Sequence, residues 1–210
     1  MVNAAKKLGY SYVGISDHSQ TRKIAGGLSG EDLMREIREV RKIKVPGIKV
    51  LMGSEVDILG DGSLDYSDNV LRKLDYTICS IHSGFNGDVT KRILKAMENK
   101  NMNILAHPTG RLIQSRKGYE LKFDEVLRVA KETKTILEIN ANPYRLDLRD
   151  EMIKSAVENG NKLIIGTDAH NVDGLKFMQL GIGQARRGWA TKNNIVNTKK
   201  WDELSKIFKR

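Results

Sequence analysis

Short apolar runs along this chain break off, one after another, on a histidine or a carboxylate. "VGIS" runs into Asp17-His18, "KVLMGS" into Glu55, "YTICSI" into His82, "NILA" into His107, and "KLIIGT" into Asp168 and His170. All four histidines of the chain stand in these positions. Such groups are costly to bury alone, so a fold built from these runs must gather them where they meet partners or an ion. Between the runs lie segments of helical period, Glu31–Lys44, Val89–Lys100, Phe123–Thr133 and Leu148–Asn159. Leu33, Ile37 and Val40 form one apolar stripe and Val126, Leu127 and Ala130 another. Ser29 is a good cap for the first helix, and Gly160 closes the last. Strands alternating with helices predict repeated βα units and a parallel sheet.

In a closed βα barrel the loops that follow the strands converge on one face. Asp17, His18, Glu55, His82, His107, Asp168 and His170 would then line a single cavity. The run "TILEIN" ends on Asn140 at the same level, and "NANPYRLDLRD" continues over the mouth.

Imidazoles together with carboxylates suit Zn²⁺, Mn²⁺ or Fe²⁺, whereas an all-oxygen set suits Mg²⁺ or Ca²⁺. His18, Glu55, His82, His107, Asp168 and His170 exceed what one ion can hold, so two or more are expected. Clustered divalent ions commonly stabilise both the attacking and the leaving oxygen in phosphate-ester hydrolysis. Asp17 and Asn140 are placed one step behind the ligands. Asp17 is expected to orient His18 through the second ring nitrogen rather than to bind an ion itself.

The 210 residues, 40% of them hydrophobic, suffice for one core, and a single domain over residues 1–210 is expected. The opening "MVNAAKKLGY" lacks the apolar stretch of a signal peptide, and no segment approaches the ~18 apolar residues of a membrane span. A cytoplasmic protein is expected. That opening reads as a helix closed by Gly9 with no strand before it, so the natural fold is expected to begin further upstream. The lone Cys79 sits inside an apolar run and is assigned to core packing. A net charge of +10 favours a polyanionic partner such as nucleic acid. Arg22, Lys23, Arg111 and Arg145 fall on loops that rim the cavity, where they could hold DNA phosphates by charge-assisted hydrogen bonds. Apart from Tyr119 and Tyr144 these loops carry no aromatic residue, which argues against an extensive base-stacking platform.

Taken in order, "SDHS", "GSEVDI", "SIHS", "AHPTG" and "GTDAH" resemble the later motifs of the PHP (polymerase and histidinol phosphatase) family of metal-dependent phosphoesterases. Within the family, "RKIAGGLS", "HPTGRLI" and "EINANPYRLDLRDEMIKSA" look most like the C-terminal PHP domain of bacterial and archaeal family X DNA polymerases. The resemblance implies an α/β fold, a distorted (β/α)7 barrel around up to three metals, here short of its first β-strand. The family's first motif, a His-x-His, would precede Met1. By similarity Glu55, His82 and His107 hold one metal. Glu55 with Asp168 contributes to a second, and His18 with His170 to a third. Glu55, Asp168 and His18 are the expected catalytic residues. The implied activity is 3′–5′ exonuclease or 3′-end processing of DNA, Mn²⁺- or Zn²⁺-dependent, beside a polymerase module on the same or another chain. Two other readings are open: a phosphatase of histidinol phosphate or another small ester, and a catalytically weakened DNA-binding module.

Overall fold

The computed structural model describes residues 1–208. Helix α1 (Val2–Lys7) leads into β1 (Tyr12–His18), α2 (Gly30–Lys42), β2 (Lys49–Asp57), α3 (Asp68–Leu71) and β3 (Tyr76–Ser80). Then come α4 (Val89–Met97), β4 (Ile104–Leu105), α5 (Phe123–Thr133), β5 (Ile136–Asn140), α6 (Asp150–Glu158) and β6 (Leu163–Gly166). Two further helices, α7 (Met178–Arg187) and α8 (Trp201–Phe208), complete the described chain. Each apolar run forms a strand that ends within two residues of its expected functional residue. All pairings are parallel, in the order β1-β2-β3-β4-β5-β6. The sheet curls into a half-barrel whose edges, β1 and β6, do not pair with each other among the described residues.

The helices sit close to their expected places, with local reasons for each difference. Helix α2 is capped as expected, since Ser29 Oγ accepts the Asp32 N–H at 3.1 Å. Helix α4 ends at Met97 rather than Lys100 because Asn99 turns the chain, its Oδ1 accepting the Asn101 N–H at 2.8 Å. Helix α6 begins at Asp150 rather than Leu148, because Asp147 still bridges to Asn140 and Leu148 is fully buried in the core.

The two faces of the sheet are filled differently. Met52, Val56, Cys79, Leu105, Leu137 and Leu163 pack outward with the apolar stripes of α2, α4 and α5. The opposite face carries Leu51, Tyr76, Ile104 and Ile136, which pack against Val196, Leu204 and Phe208. Helix α8, with no counterpart in the sequence expectations, therefore fills the amino end of the half-barrel. Tyr76 lies across β1 and β2, where only glycines leave room. A Cβ on Gly14 would stand 2.3 Å from its hydroxyl, and one on Gly53 would stand 2.4 Å from its ring. Because strand side chains alternate, the face that carries Leu51 and Gly53 also carries Glu55 and Asp57. The same strand thus supplies the packed floor and, a few residues later, the ligands above it.

Candidate metal centre

Glu55 is the hub. Its Oε1 lies 3.2 Å from His82 Nε2 and 3.0 Å from His107 Nε2, and its Oε2 lies 3.5 Å from His18 Nδ1. Burial alone would raise the Glu55 pKa, but hydrogen bonds from His107 and His82 outweigh it and hold the carboxyl well below its usual range. His18 is pushed below the ordinary imidazole value by burial, partly opposed by the Glu55 charge. Burial also lowers His82, yet hydrogen bonds with Asp57 and Glu55 prevail and lift it to about 8.

Asp57 was not singled out from the sequence. Its Oδ1 lies 2.6 Å from His82 Nδ1, which fixes that nitrogen as the donor and leaves Nε2 facing Glu55. The period of two that puts Glu55 on the inner face puts Asp57 there as well, and that was the available signal. Asp57→Asn is expected to weaken divalent-metal affinity about 10–100-fold with the fold intact. Titration calorimetry with Mn²⁺ checks this, and an unchanged affinity would remove Asp57 from the support of the ligands.

His18, Glu55 and His82 each offer a donor atom within 4.8 Å of the other two, a set that fits a divalent ion of the Zn²⁺ or Mn²⁺ kind. His107, expected to hold an ion together with Glu55 and His82, is not in that set and joins through Glu55, its Nε2 3.0 Å from Oε1. It stands out of phase with Ile104 on β4, and a positive φ of 27° turns it inward. Asp168, with φ 49°, also adopts the left-handed region that non-glycine residues seldom occupy. Asn140 Nδ2 lies 3.3 Å from Asp168 Oδ2 and 3.2 Å from Glu138 Oε2. Glu138, which accepts the His107 N–H at 2.8 Å, also escaped the sequence reading, although an acid two places before Asn140 shares its face. Burial and the Asp168 charge raise Glu138 to about 8.

Three expectations need correction. Asp17 does not orient His18: it is exposed on the opposite side of β1, and its carboxyl shares a hydrogen bond with Glu36 of α2. His170 does not join His18, because the turn at Asp168 carries it outward, where its side chain is 72% exposed and its Nδ1 lies 3.0 Å from the Asp168 carbonyl. Arg111 is not a free phosphate arm. Its Nε donates to Arg145 O at 2.8 Å and its Nη2 donates to Leu146 O.

The Asp17–Glu36 pair carries a pH prediction. Burial, then the hydrogen bond with Asp17, raises Glu36 to about 7, so the folded chain keeps a proton that the unfolded chain loses near 4.5. The stability from that proton is complete below pH 4.5 and is lost as pH rises to 7. Glu36→Gln should therefore melt higher than the parent at pH 8, by about 1 kcal/mol after screening, and gain nothing at pH 4. Thermal melts at the two pH values check it.

The remaining cations divide. Lys23 is exposed, on the same loop as Arg22. Asp65 anchors that loop, its Oδ2 accepting the Thr21 N–H and hydroxyl, each at 2.8 Å. Arg145 Nε lies 3.3 Å from Asp168 Oδ2. Arg116, absent from the sequence-derived candidates, stacks its guanidinium 4.4 Å over Phe85 and donates to Gly110 O. Burial, then the charges of Arg145 and Arg22, depress the Arg116 pKa. Arg22 Nε and Arg145 Nη1 are buried without a hydrogen-bond partner.

The family model described as the PHP domain matches residues 1–142. The chain belongs to the PHP family. Among PHP-containing relatives, the DNA polymerase/3′-5′ exonuclease PolX of Bacillus subtilis is 44% identical over the whole chain, which spans 38% of that protein's length. A probable phosphatase of Clostridium acetobutylicum is 30% identical over 80% of the chain and 70% of its own. The crystal structure of histidinol phosphate phosphatase from Lactococcus lactis, complexed with zinc, L-histidinol and phosphate, superimposes with a TM-score of 0.59 at 16% identity. That likeness covers 88% of this chain and 85% of the other, and shows the shared PHP fold.

Proposed function

We propose that this metal-dependent phosphoesterase hydrolyses phosphate esters at DNA 3′ ends, as the PHP part of a family X polymerase working in the cytoplasm with Zn²⁺ or Mn²⁺. The observation that carries the reading is the pair of buried, unpartnered N–H groups on Arg22 and Arg145, the latter with its Nε 3.3 Å from Asp168 Oδ2. An unpaired buried donor is costly, and a phosphate oxygen satisfies it with a charge-assisted bond. The 44% identity with a polymerase/exonuclease over the full chain and the net charge of +10 point the same way. No helix among the described residues is long and apolar enough to cross a membrane.

Each residue has a task. His18, Glu55 and His82 hold the ion, Asp57 locks the His82 tautomer, and His107 braces Glu55. Arg145 and Arg22 orient the phosphate, and Asn140 holds Asp168 in place. A divalent ion bound there supplies an acidified water and offsets negative charge on the reacting phosphate.

The test incubates the chain with Mn²⁺ or Zn²⁺, and with chelator, against a 5′-labelled single-stranded oligonucleotide, histidinol phosphate and p-nitrophenyl phosphate. Stepwise shortening from the 3′ end, lost on chelation, is the expected result. Turnover of histidinol phosphate with an intact oligonucleotide would replace the reading with the small-molecule phosphatase. Metal binding without any turnover would leave the weakened DNA-binding module.

A further inference from the structure

A second cavity, of about 750 Å³, lies between the 109–121 segment and the start of α6. Four cations line it, Arg111, Arg116, Lys117 and Arg149, and no carboxylate does. Only Arg149 has an acidic partner among the described residues, Glu151 at 3.3 Å, and both of those side chains are largely exposed. Leu121 and Met152 supply an apolar wall. Cations around an apolar wall suit a ligand that alternates phosphate with sugar and base.

The cavity is tied to the metal centre through the backbone. Thr109, which follows His107 by two residues, lines it, and Arg111 reaches from it to donate to the carbonyl of Arg145 at 2.8 Å. Arg111 thus stands against the main chain of Arg145, whose own Nε lies 3.3 Å from Asp168 Oδ2, so a single residue links the cavity to the metal centre. Arg116 belongs to both places, lining the cavity while feeling the charges of Arg145 and Arg22.

We propose that this cavity is the track for the single-stranded DNA behind the 3′-terminal nucleotide, with Lys117 and Arg149 contacting its phosphates. The inference rests on the DNA-end reading above and assigns the length of strand that the chain grips. It makes the preference for a polymer over a small ester a property of the 109–121 segment and α6, not of the metal ligands.

The test measures binding of a fluorescent single-stranded oligonucleotide, by anisotropy in chelator so that nothing is cleaved, across a salt titration. The parent is compared with the Lys117→Ala/Arg149→Ala double variant, and melting curves confirm that both are folded. Each phosphate contact on a single strand contributes about 0.7 to the slope of log affinity against log salt. The variant slope is therefore expected to be shallower by about 1.4. With Mn²⁺ restored, its rate on the oligonucleotide relative to p-nitrophenyl phosphate should fall about tenfold. If the parent binds the oligonucleotide and the variant has the same slope and affinity, the track is overturned and the DNA-end reading stands. If the parent does not bind at any salt concentration, the DNA-end reading fails and takes the track with it. If poly-glutamate displaces the oligonucleotide from the parent but not from the variant at equal charge concentration, the cavity takes an acidic peptide, and the assignment to DNA is wrong.

Discussion

Glu55→Gln is expected to lower metal-dependent phosphoesterase turnover by at least about three orders of magnitude, the equivalent of roughly 4 kcal/mol in the barrier. The Glu55 carboxylate touches three imidazoles: Oε1 meets His82 at 3.2 Å and His107 at 3.0 Å, and Oε2 meets His18 at 3.5 Å. An amide is similar in size but offers one acceptor where the carboxylate offers two, and carries no charge to hold a cation. Its NH₂ would face an imidazole nitrogen across a contact now made by an oxygen. Metal content by elemental analysis and turnover of p-nitrophenyl phosphate are measured on the same preparation, with circular dichroism confirming the fold. A variant that keeps full metal occupancy and more than about a tenth of the parent rate would show that Glu55 is not the hub of the site.

The largest expected effect on stability lies under the site. Gly53→Ala would drive a methyl to 2.4 Å from the Tyr76 ring. That ring cannot retreat freely, because its hydroxyl bonds Ser16 Oγ at 2.9 Å and its face stacks on Phe208 at 5.7 Å. Overpacking of this kind costs about 3 kcal/mol, which for a domain of this size lowers Tm by roughly 6–12 °C. Gly14→Ala offers a control of mechanism, since its methyl would meet the hydroxyl itself, at 2.3 Å. Adding Tyr76→Phe should rescue Gly14→Ala substantially and Gly53→Ala little. Thermal melts decide it, and a Gly53→Ala protein within about 2 °C of the parent would mean that the ring is not held as described.

The strand ends were legible because burying a His or Asp is costly, so an apolar run that stops on one marks the place where a strand leaves the core. Each of the six runs did form a strand. What the pattern could not give was the direction of side chains once extended backbone stops. Asp17 and His18 are adjacent on one strand, so only one of them can face inward, and alternation from Glu55 through the β1–β2 pairing assigns that place to His18. The same alternation, applied along β2 and β5, would have added Asp57 and Glu138. His107 and Asp168 lie beyond their strands in left-handed conformations, where no periodicity holds. Arg111 illustrates a different limit. Its position on the rim was readable, but two backbone carbonyls claim its guanidinium, and carbonyl direction is not written in side-chain identity. Arg116 is the converse, an unremarkable charge in sequence that the 109–121 segment folds back towards the site.

Helix α8 bears on how the molecule comes to be folded. Tyr12 donates to the carbonyl of Asn197, a partner 185 positions away, and Asn103 donates to that of Phe208, 105 positions away. The floor of the half-barrel is thus joined from the two extremes of the described chain. Contacts of such separation demand loop closure before they return any enthalpy, which slows folding. During synthesis the strands emerge in pairing order, yet Tyr76, Ile104 and Ile136 keep an uncovered apolar face until α8 has left the ribosome. The nascent chain is then a curled sheet with an open end, exposed to aggregation for the time taken to make residues 141–208, and the half-barrel commits to its native state only when α8 closes that end.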